Sequence, residues 1–156
     1  MDIGIAITLH VLAVIIWVGG MFFAVYILRP ATGPMTPAER LPLWGRTLAR
    51  FFPWVWVSVV LLPSTGYWLI FDLHGGFEEL PVPFHIMHVV GWVMILIFLH
   101  LWFAPYARFR KALVADDLAE AGKQLNIIRL LVTVNLYLGL FNAIIGPLGR
   151  FWDVTD

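Results

Sequence analysis

The chain has 156 residues and a mass of 17.7 kDa, of which 61% are hydrophobic and only 13% charged. A soluble domain carries about 25% charge, and a chain of this length lacks the interior volume to hide so much apolar surface, so an ordinary soluble enzyme, a disordered chain and a fibre are excluded. Ten basic residues balance ten acidic ones, which leaves no bulk attraction to nucleic acid, and the absence of Cys rules out disulfides, zinc–thiolate and iron–sulfur ligation and thiol catalysis.

Four apolar stretches are long enough to cross a bilayer, which takes roughly 20 residues as helix. They run from about Ile3 to Leu28, Phe51 to Phe71, Val82 to Phe103 and Leu125 to Pro147. Backbone groups in lipid must bond internally, so each is expected to be helical. The first stretch begins Met-Asp, without a basic region or a small-residue cleavage site, so it reads as a span and not a signal peptide.

The connection over residues 29–50 holds Arg29, Arg40, Arg46 and Arg50 against Glu39. Residues 72–81 hold Asp72, Glu78 and Glu79, and residues 104–124 hold Arg108, Arg110, Lys111 and Lys123 against Asp116, Asp117 and Glu120. Basic connections stay on the cytoplasmic side. Both termini are therefore expected outside, with the second connection; in a bacterium, that is the periplasmic face of the inner membrane. Within residues 29–50, Thr36, Pro37 and Glu39 form a capping box that predicts a short interfacial helix turning into the second span near Pro53. The expected architecture is all-α: one domain over residues 1–156, a four-helix transmembrane bundle with an interfacial helix in its first cytoplasmic loop.

Gly19 and Gly20 allow another helix to approach the first span, which predicts a homo-oligomer. Asn135 and Asn142 share one face of the fourth span, and Asn135 is expected to bond across helices or to contribute to a cofactor pocket. Pro63 is expected to weaken the second span. Trp44, Trp68, Trp102 and Trp152 lie near predicted interfaces. Arg29, Arg46 and Arg50 are suited to lipid headgroups.

Five His are the main metal-binding resource. His10 lies roughly 10 Å along the first span and His88 about 9 Å along the third, by helix rise, so the two reach one level in the outward half. His85 is one turn from His88, whereas His100 is about 18 Å from it. Two imidazoles facing across a bundle are an axial arrangement for b-type haem. His10 and His88 are the preferred ligands, with His85 as substitute, and Trp17, Trp92, Phe22, Phe23 and Phe141 are candidate walls. Copper on His10, His85 and His88, with His74 above, is the competing metal reading. The lack of Cys and of a paired Met motif disfavours copper transport. A haem site would move electrons to quinone, to oxygen species or to a redox protein partner.

The run LHVLAVIIWVGGMFFAVYILRP, the later run HVVGWVMILIFLHLWF and the Asn-bearing last helix resemble the bacterial copper-resistance protein D (CopD-like) membrane domain. More distantly, His10 with Trp17-Val18-Gly19-Gly20, and His100 with Trp102, are similar to the HemJ-type protoporphyrinogen oxidase. The basic position expected in HemJ-like proteins falls near His88, which is not Lys. The resemblance implies a small His-bearing membrane protein linked to metal or haem chemistry.

Overall fold

A computed structural model describes residues 2–149 of the chain. It contains four long helices, each apolar enough to cross a membrane: α1 (Ile3–Ala31), α2 (Pro37–His74), α3 (Val82–Val114) and α4 (Leu118–Gly149). The protein is a multi-pass, all-α membrane bundle. Trp152 lies outside the described residues.

Local chemistry sets the helix ends. Asp2 caps α1 by accepting from the backbone of Gly4 and Ile5. The expected capping box is present at the start of α2, where Glu39 accepts from the backbone N–H and the hydroxyl of Thr36. These bonds hold the Glu39 carboxyl below the usual glutamate range, chiefly through the Thr36 hydroxyl. Gly75 closes α2 at φ 70°, a left-handed conformation that suits glycine.

The boundary of α2 differs from expectation. No separate interfacial helix precedes the second span; one helix of 38 residues runs from Pro37 through Pro42, Pro53 and Pro63. Each internal proline removes one backbone donor, but the flanking turns stay helical, so Pro53 does not break the chain as anticipated. At about 57 Å by helix rise, α2 is much longer than the roughly 30 Å hydrocarbon layer. Its basic first half continues the span without interruption and buries Leu41, Trp44 and Leu48 in the core.

Prolines mark the same end of α1 and α3. Each helix makes a π-helical turn there, at Ala24–Leu28 just before Pro30 and at Trp102–Tyr106 around Pro105. A π turn widens the helix where a proline ring meets the preceding turn.

The helices pair as α1 on α2 and α3 on α4, with α1 also against α4. Most of the core lies toward the basic side. There Phe52 meets Phe98, Trp102 and Tyr106 edge to face, at centroid distances of 5.7, 5.9 and 4.7 Å. Trp17 and Trp56 join the cluster against Phe98. Trp44 is buried at 2% exposure and is a core residue, not the belt residue its position implied.

Candidate histidine site

In the half of the bundle that carries the acidic α2–α3 connection, two histidines attach to one turn of α2. His10 of α1 meets Thr65 through Nδ1, 2.8 Å from Oγ1. His88 of α3 meets Tyr67 through Nε2, 3.4 Å from the phenol oxygen. Thr65 and Tyr67 are two residues apart, which on a helix is about 3 Å of rise. His10 and His88 thus meet α2 at one level but from different sides, since two residues turn a helix by about 200°.

The hydrogen-bond network assigns the protons. Thr65 donates its one hydroxyl proton to the Leu61 carbonyl at 2.6 Å, so its oxygen accepts from His10 Nδ1–H. His10 Nε2 then carries the free lone pair. It has no hydrogen-bond partner among the described residues. Gly66 lies beside the ring: a Cβ there would make ordinary van der Waals contact with His10 Cε1, 3.5 Å away.

A similar chain reaches His88. Trp92 Nε1–H donates to the Tyr67 oxygen at 3.3 Å, leaving the phenol proton for His88 Nε2. Both bonds are long and weak. The phenol oxygen can still accept a second bond, so either tautomer of His88 satisfies this contact, and a stronger ligand can displace it. Phe77 of the α2–α3 connection packs edge-on against Tyr67 and His88, at 6.0 and 5.3 Å, and lies 6.1 Å from His85.

Other expected groups lie elsewhere. His85 contacts Phe77 and has no side-chain hydrogen-bond partner among the described residues. His74 lies 5.7 Å from Phe84, its Nδ1 buried without a partner. His100 is exposed on α3. Among the described residues no three His, Asp or Glu side chains converge on a point that could hold a metal ion, so the three-nitrogen copper set is not assembled. Met87 turns toward Gly146 of α4, away from the histidines.

The aromatic walls are only partly where the sequence placed them. Trp92 joins the site through Tyr67, but Trp17 packs into the core against Phe98, 6.2 Å away. Phe22, Phe23 and Phe141 face outward from the bundle. Asn135 does not reach the histidines; its amide donates to the Met94 carbonyl at 3.1 Å. Sequence reasoning missed Thr65, Gly66 and Tyr67. A hydroxyl, a glycine and a phenol on one turn of an apolar span were the available signal.

Imidazole nitrogen is a suitable donor for haem iron: His10 is oriented by a hydrogen bond at Nδ1 that leaves Nε2 free, whereas His88 Nε2 is engaged by the Tyr67 hydroxyl. Two hollows on the surface, both on the basic side, are lined without a histidine. No known protein family matches the chain, and neither does any curated protein or solved structure.

Proposed function

We propose that the protein is a b-type haem protein of the bacterial inner membrane, with both termini periplasmic, that takes part in electron transfer near the outer face. The observation carrying this reading is the Thr65–His10 bond, which leaves the His10 Nε2 lone pair free in an apolar bundle, level with His88. His10 and His88 would hold the iron through Nε2, and His85 is the substitute for His88. The haem supplies one-electron chemistry when bound. The chain's own contribution is orientation: Thr65 keeps the proton on His10 Nδ1, and the Tyr67 hydroxyl holds the His88 ring. A quinone or a redox protein is the partner, and Gly19, exposed with open space before it, is the contact for a second copy.

The test is reduced-minus-oxidised spectroscopy with haem and copper quantification on protein expressed with ample haem. A low-spin spectrum lost or converted to high-spin in H10A and H88A, and altered less in H85A, is expected. Protein without haem defeats the proposal, and stoichiometric copper in its place assigns the copper reading. Loss in H85A with an unchanged H88A retains the haem but defeats this ligand pair.

A further inference from the structure

At the opposite end of the bundle three arginines gather from three helices. Arg29 comes from the end of α1, Arg40 from the first turns of α2 and Arg129 from α4. Trp44 organises them. The Arg129 guanidinium lies over its ring, 4.7 Å from the centroid. The Trp44 Nε1–H donates to Thr32 at 3.1 Å, which ties α2 to the chain just beyond Arg29. Arg40 sits one turn before Trp44 and reaches toward the Gly33 carbonyl. The charges of Arg29 and Arg40 both act on Arg129.

Three like charges at such a site repel unless an anion joins them. The nearby carboxylates are occupied. Glu39 is bonded to Thr36, Asp117 caps the Glu120 N–H, and Glu120 accepts from Gln124. The Nε atoms of Arg40 and Arg129 are buried and have no hydrogen-bond partner among the described residues. A missing acceptor beside unneutralised guanidinium groups describes an anion site.

The surroundings choose the anion. Arg29 and Arg129 stand at the rim of a groove between α1, α2 and α4, walled by Val25, Leu48, Phe51 and Val132. The enclosed space is about 20 Å³, close to one water molecule, so a chain would lie along the groove and not inside it. A free phosphate gains nothing from such walls, whereas an acyl chain does. Arg46 and Arg50 line a separate, open hollow with Leu43 and Thr47.

We propose that this groove binds an anionic glycerophospholipid, its phosphate between Arg29, Arg40 and Arg129 and an acyl chain along Val25, Leu48, Phe51 and Val132. Arginine forks match phosphate oxygens in pairs, and the site lies on the basic side, where anionic lipid is attracted. The site is independent of the histidines.

The full chain, delipidated in mild detergent, is melted with phosphatidylglycerol, phosphatidylcholine or inorganic phosphate, and retained lipid is counted by native mass measurement. Phosphatidylglycerol should raise the melting temperature and remain bound, with the shift at least halved in R29Q, R40Q and R129Q. R108Q, on an exposed residue of α3, should keep the full shift. Arg29 is exposed, so R29Q tests the site even where R129Q fails to fold. An equal shift with phosphatidylcholine, a full shift with inorganic phosphate alone, or an undiminished shift in R29Q overturns the proposal.

Discussion

His10 gives its Nδ1 proton to Thr65, 2.8 Å away across the α1–α2 interface, because the Thr65 hydroxyl has already given its own to Leu61. A residue four positions away on α2 thereby decides which imidazole nitrogen is free. Thr65→Val keeps the shape, removes the acceptor and leaves a buried donor without a partner. The expected cost is about 1–3 kcal/mol, with loss of the single Nδ1–H tautomer. Thr65→Ser should retain it. Nitrogen NMR of labelled histidine reads the tautomer directly, and an unchanged tautomer in T65V would show that Thr65 does not set it.

Asn135 and Asn142, seven residues apart on α4, donate to the carbonyls of Met94 and Met87, seven apart on α3, both at 3.1 Å. The two rungs run in opposite directions along antiparallel helices, so together they fix the register of α3 on α4. Each rung should be worth about 0.6 kcal/mol, and at most about 1.7, as for side-chain hydrogen bonds between membrane helices. N135L and N142L should each lower stability by that amount in unfolding from detergent. The double variant should be close to additive, because the rungs are about 10 Å apart.

Much of this was legible before the structure. The four spans follow from composition, since lipid leaves the backbone no state but helix, and the capping box at Thr36 is a local pattern with a local cause. The equal depth of His10 and His88 follows from helix rise alone. Facing does not: Trp17 was expected beside the histidines and packs instead on Phe98, because an apolar span hides which side is buried. Mean hydropathy is uniform around such helices, so the arginine groove, built from residues a hundred positions apart, had no sequence signature. Pro53 was expected to end a helix; the α2 turns on either side, supported by packing of Phe52 and Val55 in the core, carry the helix through it.

The charged connections predict sidedness that can be read chemically. The chain has no cysteine, so single introduced cysteines report without background. Glu79 and Ala115 are exposed in the α2–α3 and α3–α4 connections. E79C should react with an impermeant maleimide added outside intact cells, and A115C only after the inner side is opened. The reverse labelling would invert the bundle, moving the histidines to the cytoplasmic half and the arginine groove to the outside.

Gly19 and Gly20 are neighbours with opposite surroundings. A Cβ on Gly20 would overlap the ring of Phe51, whereas one on Gly19 meets nothing within 4 Å among the described residues. Gly20 is therefore the point where α2 crosses α1 closely, and Gly20→Ala must push the Phe51 ring aside. The expected cost is about 1–3 kcal/mol, the range for overpacking a tight contact. Phe51→Leu removes the ring tip and should make Gly20→Ala cheaper in the double variant than in the single one. Gly19→Ala should leave the stability of one chain unchanged or slightly raised, since alanine favours helix. Gly19→Leu adds bulk only to the outer face, so any change it makes in the oligomeric mass, measured in mild detergent, reports a second copy seated there. A dimer that survives Gly19→Leu intact would place the contact on another face of the bundle.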